Sequence, residues 1–186
     1  MIDNIFFNKY FDLIKTNLDN VDIEDLKKIA QLAKETSKRG NKVIIAGNGG
    51  SAAMASHVSV DFTKVARIRT INFNEPDLLT CFANDYGYEM VFQKGIEFYG
   101  DENDMLILIS SSGNSPNVIN AANYSKKLGL KVVTFSGFSN DNKLKNLGDI
   151  NIWVDCKAYN IVEMTHHIMI LSIVDFIVGD IYYSAN

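Results

Sequence analysis

The stretch KVIIAGNGGSAA, residues 42–53, runs from a short apolar segment into a glycine-rich loop, and MLILISSSGNSP, residues 105–116, repeats that arrangement with a serine-rich loop. Each apolar segment has the length of a buried strand, and each loop is followed by residues that begin a helix. At such a junction, free backbone N–H groups and the positive end of the helix point to one place, which suits an anion. Two of these junctions predict a phosphorylated small molecule held between the loops.

Composition indicates one folded domain, residues 1–186, whose first helix extends it at the amino terminus. The chain is 47% apolar and 22% charged, with a net charge of −4. Basic residues do not cluster, which argues against nucleic-acid binding. Cys81 and Cys156 lack metal-type spacing, and no secretion signal is recognised, so we expect a cytoplasmic protein with free thiols.

One long apolar stretch, residues 161–178, has the length of a membrane span. It contains Glu163, His166, His167 and Asp175, however, and such groups are costly in a bilayer. We expect a buried helix that brings polar groups to a site or a subunit interface, and no contact with a membrane.

Apolar segments and helical patterns alternate along the chain. Helices are expected over 3–19, from 22 to about 39, over 51–66, from 76 to a break at 84–87, then to about 99, over 116–128 and along the last apolar stretch. Strands are expected at 42–46, 70–73, 105–109, 131–136 and 150–154. This alternation predicts an α/β fold, a doubly wound parallel sheet with helices on both faces. Ligands of such sheets bind at the carboxyl ends of the strands, where both loops would lie.

Neither loop matches a standard nucleotide motif. The first has Ala52 where the dinucleotide fingerprint GxGxxG needs its last glycine, and no acidic ribose anchor follows a second strand. The GxxxxGK[ST] sequence of nucleoside triphosphatases is also missing. A phosphorylated small molecule therefore fits the two loops better than a nucleotide.

The motifs AGNGGSAA at 46–53 and SSSGNSPNV at 110–118 resemble those of the sugar isomerase (SIS) domain family. Within it, the whole chain is similar to the sedoheptulose-7-phosphate isomerases of bacterial heptose biosynthesis. The resemblance implies a flavodoxin-like three-layer sandwich and a homotetramer with sites at subunit interfaces. It also implies that the substrate is bound by the two loops and by Asp85 from a neighbouring segment. The loop residues are Asn48, Gly49, Gly50, Ser51, Ser110, Ser111, Ser112, Asn114 and Ser115.

Many enzymes of this family bind a divalent metal, usually zinc, and the resemblance extends to part of that site. His57 matches the first ligand, and Asp61 stands where the family has a glutamate. Glu163 aligns with a glutamine ligand, while Leu171 replaces the second histidine ligand. His167 lies one turn before Leu171 and offers an alternative imidazole. The expected metal ligands are therefore His57, Asp61, Glu163 and His167.

The resemblance implies an aldose–ketose isomerase that acts on sedoheptulose 7-phosphate through a cis-enediol. Asp61 is the expected base, and His167, or His166 in second place, is the expected acid. Two alternatives stay open at this point: an isomerase of another sugar phosphate, or a non-catalytic SIS protein that binds a sugar phosphate as a regulator. Leu171 is the main argument for the regulator.

Overall fold

A computed structural model describes residues 2–183, with side chains from residue 4 onward. Within that range the α-helices are α1 Ile2–Asp19, α2 Ile23–Lys38, α3 Gly50–Lys64, α4 Pro76–Tyr86, α5 Val91–Tyr99, α6 Pro116–Lys127 and α7 Tyr159–Val178. The strands are β1 Val43–Gly47, β2 Thr70–Asn72, β3 Met105–Ser110, β4 Lys131–Ser136 and β5 Ile150–Trp153. Short 3₁₀ turns occupy Tyr88–Met90 and Leu144–Asn146.

The five strands form one parallel sheet in the order β2-β1-β3-β4-β5. From β1 the chain crosses to β2 on one side, and it then returns to place β3 on the other side of β1. This reversal is the topological switch point, where open α/β sheets bind their ligands. The predicted doubly wound, flavodoxin-like sheet is confirmed.

Helices cover both faces of the sheet because successive strand residues point to opposite sides. In β3, Met105, Ile107 and Ile109 join a core shared with α2, α3 and α7. Leu106 and Leu108 join a second core shared with α5 and α6. All six residues of β3 are buried, as a central parallel strand requires.

The predicted helices and strands agree with the structure to within a few residues at each end. The two 3₁₀ turns were not predicted. A three-residue turn is too short to display a hydrophobic period, so the sequence carries no signal for it.

The amino-terminal edge of the sheet is held by the buried carboxylate of Asp104. It accepts hydrogen bonds from the Lys42 ammonium at 2.6 Å, the Lys42 backbone N–H at 2.9 Å and the Asp101 backbone N–H at 2.9 Å. Burial by itself raises the pKa of Asp104, but these hydrogen bonds outweigh it and the pKa lies below its usual value. The network ties the starts of β1 and β3 together.

Helix α7 packs against α1, α2 and α3. It is the one described helix that is long and apolar enough to cross a membrane, yet 44% of that stretch is buried inside the fold. Half-burial of this kind is typical of a core helix in a globular domain.

His166 projects from α7 into the core, where it is fully buried. Its Nε2 lies 3.0 Å from the carbonyl oxygen of Ser136, and its ring meets Phe135 edge to face. Desolvation lowers the pKa of His166 to about 4, although the hydrogen bond to Ser136 opposes that shift. The imidazole is therefore neutral at pH 7 and supports the end of β4.

The His166 imidazole predicts an acid-sensitive stability. Below about pH 6.5 the imidazole of His166 is protonated in the unfolded chain but stays neutral in the native core. The free energy of unfolding therefore falls as the pH drops from about 6.5 to about 4. The expected loss from this residue is about 3 kcal/mol. Urea unfolding of the wild type and His166→Gln across pH 4–7 measures it, since the variant should show a shallower slope. Equal slopes would contradict the buried neutral imidazole.

Candidate active site

The two loops meet because the strands that precede them are neighbours. Gly47 at the end of β1 is paired in register with Ile109 of β3. A Cβ atom on Gly47 would lie 2.6 Å from the Ser51 Cβ and 2.8 Å from the Ile109 carbonyl oxygen, so only glycine allows this close approach. The first turn of α3 is thereby packed against the end of β3.

A cavity of about 260 Å³ opens between the loops at this switch point. Eight of the ten residues predicted to bind substrate line it. The complete lining is Asn48, Gly49, Gly50, Ser51, Ile109, Ser110, Ser111, Ser112, Ser115, Tyr159 and Glu163.

Ser111 lines the cavity and carries a hydroxyl group that is not used by the described fold. Its Oγ is buried and has no hydrogen-bond partner among the described residues, although buried hydroxyls normally have one. Nearby, the hydroxyls of Ser110 and Ser115 lie 3.2 Å apart. The amino terminus of α3 opens on the same cavity and adds backbone N–H donors and a positive dipole end. This donor-rich lining suits a phosphate group.

Glu163 of α7 closes one side of the cavity. A Cβ atom on Gly50 would lie 2.2 Å from Glu163 Oε2, so the carboxyl group sits directly over the first residue of α3. Desolvation raises the pKa of Glu163. A carboxyl group that holds its proton more readily donates a hydrogen bond more readily beside an anion.

Farther along the same two helices, three of the predicted residues form a row. His57 Nε2 lies 3.3 Å from Asp61 Oδ2, and His57 Nδ1 lies 3.0 Å from His167 Nε2. The two imidazole rings are nearly perpendicular, with centroids 5.0 Å apart. The His57 side chain is about half exposed, so the row is open to a ligand.

The order of the row determines its proton positions when Asp61 is ionised. The carboxylate accepts a hydrogen bond from His57 Nε2–H. In that tautomer His57 Nδ1 accepts a hydrogen bond from His167 Nε2–H. Burial first, and the nearby His57 second, lower the pKa of His167, while Asp61 opposes the shift. Two imidazoles beside a carboxylate are groups that can take up or release a proton.

These donors do not surround a common point. His57 directs one ring nitrogen to each neighbour, and Glu163 lies at the cavity. Within residues 2–183, no three His, Cys, Asp or Glu side chains are placed to hold a metal ion together. The donor types suit zinc, but the arrangement is a row and does not fit a metal centre as it stands.

The cavity and the row lie along the same pair of helices, α3 and α7. Gly50 meets Glu163, and His57 meets His167, so the two helices run in the same direction. At 1.5 Å per residue, the row begins about 6 Å beyond Glu163 along α7 and about 10 Å beyond Gly50 along α3. An elongated ligand held at the loops therefore extends toward the imidazoles.

Three predicted residues lie away from both places. His166 is in the core, as described above, so it does not join the row. Asp85 is exposed and accepts a hydrogen bond from Asn84, without lining the cavity. Asn114 is also exposed, and its side chain donates to the Ser112 carbonyl group, which shapes the second loop.

Tyr159 and Ile109 line the cavity but were not predicted. Tyr159 was detectable, because it precedes Glu163 by four residues and so shares its helix face. Ile109 contributes through its place at the end of β3, for which an apolar strand residue gives no separate signal.

Comparison with known proteins agrees with this geometry. The family model for the SIS domain matches residues 6–137, more than two-thirds of the chain. The chain belongs to the SIS domain family. The predicted family membership is thereby confirmed.

Two curated relatives and one solved structure are each named phosphoheptose isomerase. The chain is 41% identical over 156 residues to phosphoheptose isomerase from Fusobacterium nucleatum, covering 81% of this chain and 79% of the relative. It is 36% identical over 186 residues to that of Helicobacter pylori, with 95% and 96% covered. The structure of phosphoheptose isomerase from Neisseria gonorrhoeae superposes with a TM-score of 0.85 at 25% identity and covers 95% of this chain and 98% of that one.

Replacing Ser111 tests the phosphate cradle. Because its Oγ has no protein partner, Ser111→Ala should leave stability unchanged while weakening inorganic phosphate binding about tenfold. Ser125→Ala is the matched control: that buried hydroxyl donates to Ala121 within α6, away from the cavity, so phosphate binding should persist. Calorimetric titration measures both, and unchanged affinity in Ser111→Ala would remove this serine from the cradle.

Proposed function

We propose that this protein is a phosphoheptose isomerase that interconverts sedoheptulose 7-phosphate and the corresponding aldose, D-glycero-D-manno-heptose 7-phosphate, for surface-glycan biosynthesis. The observation that carries the proposal is a donor-rich cavity and an acid–base row on the same two helices, in a chain whose full-length relatives bear that name.

The spacing between the cavity and the row supports a long sugar phosphate. In an open-chain heptose 7-phosphate, the phosphate and the carbonyl group lie toward opposite ends of the carbon chain. With the phosphate against the serine hydroxyls and the start of α3, the carbonyl end extends toward His57 and His167. Binding energy from the phosphate then positions the reacting carbons.

The row supplies groups for proton transfer. In the ketose-to-aldose direction, a base removes a proton from C1 and returns it to C2, while an acid moves a proton from the C1 oxygen to the C2 oxygen through a cis-enediol. We assign the base to Asp61 and the acid to His167. His57 lies between them, within hydrogen-bonding distance of both side chains.

Zinc binding stays a prediction. A metal would require His57 and His167 to give up their mutual hydrogen bond. Titration of the apoprotein with Zn²⁺ tests this without an activity assay: one equivalent bound by the wild type and none by His57→Ala would establish a site at the row.

The proposed reaction is tested directly by incubating the protein with sedoheptulose 7-phosphate and following the aldose by NMR, with and without added divalent metal. Turnover supports the isomerase. Binding without turnover would favour the second candidate, a sugar-phosphate-binding regulator, for which Leu171 in place of a family histidine is the specific argument.

Asp61→Asn should lower the turnover rate by about 100-fold or more, because the amide cannot accept the C1 proton. Inorganic phosphate binding should persist, since Asp61 lies outside the cavity. Asp155→Asn, an exposed carboxylate beyond β5, is the matched control and should retain full activity. Normal turnover in Asp61→Asn would remove this residue from the mechanism.

The proposal includes a cytoplasmic homotetramer. Helix α1 supports it, because Ile5, Phe6, Phe7 and Phe11 are each more than half exposed. Apolar rings in such number on one helix are typical of a subunit interface.

Phe7 and Phe11 stack with ring centroids 6.4 Å apart on that helix. The double variant Phe7→Glu/Phe11→Glu should be smaller in solution than the wild type, because two charges would be buried in the interface. Lys15→Glu, an exposed change on the same helix, should leave the size unchanged. Light scattering after size exclusion measures it, and an unaltered tetramer in the double variant would place the interface elsewhere.

A further inference from the structure

Asn48 and Asn117 form a reciprocal amide pair between the first loop and α6. Asn48 Nδ2 donates to Asn117 Oδ1 at 2.9 Å, and Asn117 Nδ2 donates to Asn48 Oδ1 at 2.9 Å. Asn48 lines the cavity, whereas Asn117 is 2% exposed and is not part of the lining. A buried side chain outside the cavity thus holds a side chain inside it.

The orientation of both amides is determined by their surroundings. The Val118 backbone N–H is shared between the Ser115 carbonyl oxygen at 3.1 Å and Asn117 Oδ1 at 3.0 Å, which favours an oxygen at the Asn117 position. Asn117 Nδ2 therefore faces Asn48 Oδ1. The pair has one arrangement, set by the first turn of α6.

A third segment joins the pair through Tyr88. Its hydroxyl donates to Asn48 Oδ1 at 2.9 Å, while its side chain remains largely exposed. Tyr88 begins the 3₁₀ turn after Gly87, where the chain leaves α4. Asn48, Asn117 and Tyr88, here called the amide clamp, connect the loop after β1, the start of α6 and the turn after α4.

We propose that Asn117 and Tyr88 are positioning residues, which act through Asn48 to hold the first loop in register with the serine loop. Neither is assigned contact with the substrate. The N–H donors at the start of α3 and the hydroxyls before α6 act on one anion only if the spacing of the two helix ends is fixed. The effect on turnover rests on the proposed function, whereas the effect on the loop does not.

Two variants separate the parts of the amide clamp. Asn117→Asp can still accept from Asn48 Nδ2 and the Val118 N–H, but its second oxygen opposes Asn48 Oδ1, so one hydrogen bond becomes a repulsion. Tyr88→Phe removes one hydroxyl from a largely exposed ring and adds no charge. Tyr99→Phe is the control, since the exposed Tyr99 hydroxyl of α5 has no hydrogen bond within residues 2–183.

Hydrogen–deuterium exchange measures the loop itself, whatever the reaction. Backbone amides of residues 48–53 should exchange about tenfold faster in Asn117→Asp and Tyr88→Phe than in the wild type, because about one net hydrogen bond is lost. Tyr99→Phe should match the wild type. Unchanged exchange in Tyr88→Phe would overturn the proposal, and this exposed variant keeps the test valid even where Asn117→Asp fails to fold.

Kinetics separate positioning from a structural role. At equal concentrations of folded protein, kcat for sedoheptulose 7-phosphate should fall about tenfold in Tyr88→Phe without a matching fall in thermal midpoint. A lower midpoint with unchanged kcat would show a structural role alone and overturn positioning. Where the wild type itself shows no turnover, the proposed function fails. The amide clamp is then tested by hydrogen–deuterium exchange and by the affinity for inorganic phosphate. Because Tyr88→Phe adds no charge near the cavity, a phosphate affinity about tenfold weaker than that of the wild type is the expected result.

Discussion

β1 and β3 hydrogen-bond to each other along five residue pairs, from Val43 and Met105 to Gly47 and Ile109. Since the chain crosses from β1 to β2 on one side and from β3 to β4 on the other, a space is left between the loops at the carboxyl ends of β1 and β3. Both loops open there, and Gly47 lets α3 begin against β3. The cavity depends on this pairing.

A second consequence of the pairing is that two kinds of chemical group lie along the same pair of helices, α3 and α7. Near the sheet, backbone N–H groups and serine hydroxyls offer neutral donors to an anion. Farther out, Asp61, His57 and His167 offer groups that exchange protons. Because α3 and α7 run side by side in the same direction, the two parts are separated by a length that suits a sugar chain.

The parallel sheet, both loops and the closeness of His57 to Asp61 could be predicted from the sequence, because each depends on a local pattern. A buried strand followed by a small-residue loop predicted both halves of the cradle, and helical spacing predicted that His57 lies near Asp61. The sequence did not reveal in which direction a side chain projects from its helix toward neighbouring elements. His166 and His167 are adjacent, yet one projects into the core and the other toward α3, since neighbouring helix positions are about 100° apart. The reciprocal pairing of Asn48 with Asn117 joins residues 69 apart, which no local pattern reveals.

The buried Asp104 carboxylate and its partners lie at the opposite edge of the sheet from the cavity. Two tasks are therefore spatially separate: one end of the sheet anchors the strands, and the other carries the serine loop. The Ser111 hydroxyl in that loop makes no hydrogen bond to another described residue. A loop residue of that kind can change without loosening the anchor. Such a scaffold is well suited to diversification, because new ligand chemistry can arise at one edge while folding is secured at the other.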